Sequence, residues 1–227
     1  MRDSPSIYTG PVRDTLDRLH AAAKRDVVQF LKLAPKFVAG FARGKSLWDV
    51  LTPEAMKGAY IPVSPEQGRL LYLTARALDA RTIVEYGTSF GISTIYLAAA
   101  VRDNGGGIVI GTEIEPGKHA TALANLAEAG LADFVDIRLG DAQETLRETP
   151  EPIDLVLMDG WKDLYLPLAK LLAPRLRPRA IVLGDNIFTF RKSLRPYVEY
   201  MQNPENGFAS TTLHLSDGFE YSVYLGN

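Results

Sequence analysis

A chain of 227 residues fits one domain plus an extension better than two full domains. It has no cysteine, which excludes disulfides, thiolate metal sites and a cysteine nucleophile. The histidines, His20, His119 and His214, never stand at zinc-ligand spacing, so a bound metal would need oxygen ligands, as a hard cation such as Mg²⁺ prefers.

The net charge of −2 lacks the footprint of a nucleic-acid binder. No apolar run approaches the roughly 18 residues needed to cross a bilayer. The first ten residues, "MRDSPSIYTG", lack the basic start and apolar core of a secretory signal. A cytoplasmic protein, without nucleic-acid or membrane partners, is the expectation.

Residues 1–60 are helical in pattern, with Pro35 expected to bend or split the run. They hold ten basic and six acidic side chains, and we take them as a helical extension or lid, with 61–227 as the main domain. A proline-rich elbow near "YIPVSPEQG" then leads into a helix.

From Ile83 onward apolar runs alternate with helical patterns. "TIVEY", "IVIGTE", "FVDIRL", "IDLVLMD" and "AIVLGD" are predicted strands. Between them helices are predicted over "STIYLAAAVR", Pro116 to Ala129, a short stretch from Asp141, and about Leu164 to Leu176. Near-continuous apolar strands separated by helices imply a parallel sheet covered on both faces, an open doubly wound, Rossmann-like α/β domain. "ASTTLHLS" and "EYSVYLG" instead alternate in period two around "DG", the signature of a C-terminal antiparallel hairpin.

Polar residues gather at the predicted strand ends. "VEYGTSFGIST" carries Glu85, Gly87 and Gly91 between a strand and a helix, either an ordinary glycine turn or a loop admitting a ligand to the backbone. Its G-x-x-x-G spacing lacks the third glycine of a dinucleotide fingerprint. Glu113, ending the second strand, can accept hydrogen bonds from both ribose hydroxyls of a nucleoside. Asp141 can cap the next helix, or stand with Ala142 and Gln143 where an adenine ring reaches the sheet edge. The fourth strand ends in Asp159 and the fifth in Asp185-Asn186, and two carboxylates with one amide suit an octahedral Mg²⁺ site. Each also has a plain reading as a strand end or turn.

As a set, these residues resemble the class I S-adenosylmethionine-dependent methyltransferases, and more narrowly the metal-dependent O-methyltransferases that include catechol O-methyltransferase. "MDGWKDLYLP" is similar to that family's Asp-His-Trp-Lys-Asp-Arg-Tyr-Leu-Pro stretch, and "VSPEQGRLL" and "GDAQ" resemble its bacterial members. The similarity runs from about Val63 to Tyr224. It implies a seven-stranded, mostly parallel sheet ending in the hairpin. It implies S-adenosylmethionine and Mg²⁺ as cofactors. Val63, Glu85, Gly87 and Ser93 would hold the amino acid end of S-adenosylmethionine, Glu113 the ribose, and Ala142, Gln143 and Trp161 the adenine, with Asp141 and Asp159 also among the cofactor contacts. Asp159, Asp185 and Asn186 would ligate the metal, and Lys162 would be the general base.

Gly160 departs from the family by replacing the histidine of the mammalian-type motif. Tyr60 and Ile61 fall near the family's substrate gates. The implied activity is methyl transfer to a catechol-like or other vicinal-hydroxyl small molecule, with a homodimer compatible with the pattern. An NAD-dependent dehydrogenase and a nonenzymatic nucleoside-binding regulator are the alternatives.

Overall fold

The computed structural model describes residues 5–24 and 63–226. The expected bend at Pro35 and the gates near Tyr60 and Ile61 lie outside the described residues. Among the described residues, no helix is long and apolar enough to cross a membrane.

A 3₁₀ turn, Ser6–Tyr8, precedes helical residues 10–24 (α1). The remaining elements alternate: α2 (Pro65–Ala77), β1 (Thr82–Tyr86), α3 (Ile92–Asp103), β2 (Ile108–Glu113), α4 (Pro116–Glu128), β3 (Val135–Leu139), α5 (Ala142–Thr145), β4 (Ile153–Met158), α6 (Tyr165–Leu172), β5 (Leu176–Gly184), α7 (Arg191–Gln202), β6 (Phe208–Leu213) and β7 (Phe219–Tyr224). The seven strands form one sheet in the order β3-β2-β1-β4-β5-β7-β6. The first five are parallel, and β7 runs antiparallel to both β5 and β6. The doubly wound sheet with its C-terminal hairpin is the architecture that the residue pattern predicts.

Period-two alternation sorts the strand side chains onto two cores. Ile83, Leu155, Leu157, Ile181 and Leu183 pack in one core with Leu71, Ile95 and Leu97, and with Ile7, Val12, Leu16 and Leu19 of the N-terminal segment. Val84, Val156, Met158 and Val182 pack in the other with Tyr165, Leu168, Leu194 and Tyr197. All of β4 is buried, as expected of a central parallel strand covered on both faces.

Two elements differ from expectation. The helix predicted over Leu164 to Leu176 is shorter: α6 ends at Leu172, a 3₁₀ turn spans Ala173–Arg175, and Leu176 already belongs to β5. Pro174 has no N–H to continue the helix, so the chain leaves it there. The sequence pattern also passes over α7, because Pro196 lies inside it. That proline sits on the exposed face, while Leu194, Tyr197 and Met201 turn one stripe into the core.

Register places the strand ends level. Tyr86 pairs with Met158, and Met158 with Gly184. Gly87, Asp159 and Asp185 therefore leave the sheet side by side at its carboxyl edge. The order of connection reverses between β1 and β4, the switch point where ligands bind in open α/β sheets.

Asp103, closing α3, ties the N-terminal segment to this frame. Its Oδ2 accepts from the Ser6 N–H at 3.0 Å, the Ser6 hydroxyl at 2.8 Å and the Tyr72 hydroxyl at 2.6 Å. Burial works against the carboxylate, but these donors outweigh it and hold its pKa below the ordinary 3.8. Asp103→Ala should cost about 1–3 kcal/mol, since it strands buried donors. A depressed folded pKa means that this stability is present above pH 3.8 and lost as pH falls through the lowered value. Urea unfolding of both proteins at neutral and acidic pH checks this; the gap should close in acid.

Candidate active site

The close approach of β1 and β4 makes the floor of the site. Gly87 has φ +97°, and a Cβ there would lie 2.5 Å from the Asp159 carbonyl oxygen. Any side chain would push the two strand ends apart. Gly91, also left-handed at φ +83°, opens α3.

Glu85 is fully buried at the end of β1. The hydroxyls of Thr88, at 3.1 Å, and of Thr94 donate to its Oε2. Its Oε1 is buried without a partner. Burial drives its pKa up; the hydroxyls of Ser93, Thr94 and Thr88 only partly offset that, and the charge of Glu113 adds to it. A buried carboxylate oxygen with no donor is costly unless a ligand completes it, and a cationic amine would.

Glu113, ending β2, accepts from the backbone N–H groups of Ser89 at 2.8 Å, Ile114 at 2.9 Å and Glu115 at 2.9 Å. Its carboxylate is thereby fixed beside the Gly87–Gly91 loop. Glu115 plays the ordinary role of capping α4 through the Lys118 N–H. Asp141 caps α5 by accepting the Gln143 N–H at 2.9 Å, which realises its plain reading. Ala142 behind it is buried and Gln143 is exposed. Val63 is buried just before α2, and Ser93 is buried in the first turn of α3.

The charged cluster stands beyond β4 and β5. The Lys162 Nζ donates to Asn186 Oδ1 at 2.7 Å and to the Tyr165 hydroxyl at 2.7 Å, and lies 3.8 Å from Asp159 Oδ1. It also sits 4.8 Å from the Tyr165 ring centre and 5.3 Å from that of Phe190. Only 8% of the Lys162 side chain is exposed, too little for a solvated surface lysine. Asn186 takes φ +64°, a conformation that asparagine tolerates better than most residues. Its own N–H donates to Asp185 Oδ1 at 2.6 Å.

Electrostatics follow from this crowding. Burial first, and then the neighbouring Asp185, push the Asp159 pKa well above its ordinary value, with Lys162 opposing. Asp185 is raised to about 6 by burial, against the Asn186 N–H and Lys162. Burial lowers the Lys162 pKa, although Asp159, Asp185 and Asp217 pull it back up. Two buried carboxylates that resist joint ionisation are a poor arrangement alone and a good one for a divalent cation. Among the described residues no three His, Cys, Asp or Glu side chains could hold a metal, so a cation at this cluster would need an amide oxygen such as that of Asn186.

Gly160 has a structural reason. A Cβ there would lie 2.3 Å from the Tyr86 ring, and the Tyr86 hydroxyl donates to the Trp161 carbonyl at 3.1 Å. Tyr86 thus fills the space beside Gly160 and anchors the turn that carries half-buried Trp161. Sequence reading missed Tyr86, Thr88, Thr94, Tyr165, Phe190 and Gln67. Only Gln67 had a local signal, the S-x-x-Q capping box from Ser64.

A seven-stranded sheet of this order, with a glycine loop after β1 and an acid ending β2, defines the class I methyltransferase fold. Residues 84–187 match the family model described as a methyltransferase domain. The chain is 36% identical over 138 residues to a catechol O-methyltransferase of Niastella koreensis, covering 59% of this chain and 62% of that protein. It is 38% identical over 129 residues to a catechol O-methyltransferase of Mycobacterium tuberculosis, covering 56% and 57%. The chain thus spans about three fifths of the length of these curated relatives. Among solved structures, the O-methyltransferase TomG of Streptomyces achromogenes, involved in tomaymycin synthesis and in complex with S-adenosylmethionine, superposes with a TM-score of 0.67. The two are 28% identical, over 73% of this chain and 82% of TomG. Over residues 84–187 the chain matches a methyltransferase domain, and it is similar to class I S-adenosylmethionine-dependent O-methyltransferases.

The Tyr86–Gly160 contact can be checked by a double-mutant cycle. Gly160→Ala alone should destabilise by about 1–3 kcal/mol through overpacking. In a Tyr86→Ala background the same change should be nearly neutral, because the ring is gone. Equal costs in both backgrounds, read by thermal unfolding, would show that the residues do not compete for one space.

Proposed function

We propose that the protein is an enzyme that transfers a methyl group from S-adenosylmethionine to a hydroxyl of a catechol-like or other vicinal-hydroxyl small molecule, assisted by Mg²⁺. The observation that carries this reading is the buried Lys162 amine, held between Asn186 and Asp159 on the sheet edge that also bears Glu85 and Gly87. Binding alone needs no buried lysine among carboxylates.

S-adenosylmethionine would supply a sulfonium methyl group open to in-line attack. Glu85, with its unpartnered Oε1, is suited to accept the ammonium of the methionine moiety, beside Ser93, Val63 and the bare backbone at Gly87. Glu113 is oriented by three N–H groups and retains lone pairs for the ribose hydroxyls. Ala142, Gln143 and Trp161 would flank the adenine.

Asp159, Asp185 and Asn186 would hold Mg²⁺, which would act as a Lewis acid that lowers the pKa of a bound hydroxyl. Lys162 would accept the proton of the attacking acceptor hydroxyl. As a neutral amine it has two hydrogens, already engaged by Asn186 and Tyr165, and one free lone pair. Burial favours that neutral form. The rings of Tyr165 and Phe190 limit water around the amine, and the residual barrier falls through positioning.

Three outcomes test this reading. Calorimetry should show S-adenosylmethionine binding, weakened by about 1–3 kcal/mol in Glu113→Ala; tighter binding of NAD would overturn the assignment. Turnover of catechols should vanish in EDTA and return with Mg²⁺. Lys162→Ala should lower kcat by about 10²–10⁴-fold with little change in S-adenosylmethionine affinity. That loss should shrink for acidic nitrocatechols, which need less help in deprotonation. Identical kcat and identical dependence on acceptor pKa in both proteins would place the base elsewhere.

A further inference from the structure

Gln67 lies on α2, far from the charged cluster in sequence, yet it is buried and reaches that cluster. Its Nε2 donates to Asp185 Oδ1 at 2.8 Å. The other end of the same amide is also committed: Oε1 accepts the Ser64 N–H at 2.8 Å, while the Ser64 hydroxyl accepts the Gln67 N–H at 3.2 Å. This reciprocal pair is a capping box, so the start of the helix fixes the rotamer of the Gln67 side chain. The amide cannot turn without losing bonds at both ends.

The consequence falls on Asp185. The Gln67 amide and the Asn186 N–H both engage Oδ1. No donor among the described residues engages Oδ2. One carboxylate oxygen is anchored from two sides, and the other is left for a ligand. Such outer partners hold a metal-binding side chain in place, and losing them typically weakens the site without removing a ligand.

We propose that Gln67 is a positioning residue for the cation site, which fixes Asp185 through Oδ1 so that Oδ2 is presented to a divalent cation. This rests on the reading of Asp159, Asp185 and Asn186 as cation ligands. Gln67 itself touches neither cation nor acceptor. The capping box makes its amide a rigid strut between α2 and the end of β5.

The test is direct binding of Mn²⁺ to the protein, without acceptor, measured by electron paramagnetic resonance of the free ion. Gln67→Met keeps the volume and removes the donor, and should weaken Mn²⁺ binding by about 10–100-fold. Gln67→Asn, shorter by one methylene, is a second variant that should move the same way. Ser64→Ala removes only the hydroxyl half of the capping box; the N–H of residue 64 still holds Gln67 Oε1 and Nε2 still reaches Asp185, so Mn²⁺ should bind near the wild-type level. S-adenosylmethionine affinity, read by calorimetry, should be unchanged in all of them. Wild-type Mn²⁺ affinity in both Gln67 variants, with binding lost in Asp185→Ala, would overturn the inference and leave the cation reading standing. Equal weakening in Ser64→Ala would reduce Gln67 to a helix cap and overturn it as well. If the wild type takes up no Mn²⁺, or Asp185→Ala takes up as much, the cation reading fails and the inference with it.

Discussion

The approach of two backbone segments at the carboxyl edge of the sheet sets everything else. At Gly87 there is no room for a Cβ between the end of β1 and the Asp159 carbonyl. Because the strands are level there, a glycine, an aspartate and a second aspartate leave the sheet in adjacent positions. The glycine opens backbone to a ligand, and the aspartates bring charge to the same edge. Prising the strands apart at that point would separate the glycine loop from the charged cluster.

The charged side is a compromise between burial and pairing. Burial disfavours Asp159, Asp185 and Lys162 as ions; the lysine and the aspartates favour each other's charge, whereas Asp185 further disfavours that of Asp159. Such a cluster is weak as a source of stability, since desolvation offsets the attraction. The carboxylates would suit a cation, and burial shifts the Lys162 amine toward its neutral form. Tyr165, Asn186 and Gln67 donate to Asp185, and Lys162 donates to the Tyr165 hydroxyl, which holds these groups in place. Glu85 shows the same imbalance beside the glycine loop, with one oxygen satisfied by hydroxyls and the other without a donor.

Around the site the frame is ordinary. Two apolar cores sandwich the sheet, and the segment from Ile7 to Leu19 contributes to one of them. Asp103 fastens that segment with hydrogen bonds to Ser6 and Tyr72. The fold thus keeps the strand ends rigid while the polar groups at those ends remain open to ligands, a division common to open α/β sheets.

Local chemistry was enough to read the strands and the hairpin. A buried parallel strand must be apolar throughout, and "DG" between alternating runs has few other uses. The order of acids and glycines at the strand ends was legible for the same reason, since a polar residue that ends an apolar run marks where the chain meets an edge. Where a proline interrupted the pattern, at Pro174 and Pro196, local rules misplaced one helix end and hid another helix. Tertiary structure alone decided which side chains complete the site. Tyr86 fills the space beside Gly160, and Gln67 crosses from a distant helix to Asp185. Tyr165 and Asn186 together hold the lysine amine. Those contacts join residues separated by up to 118 positions, and no periodicity along the chain records a distance in space.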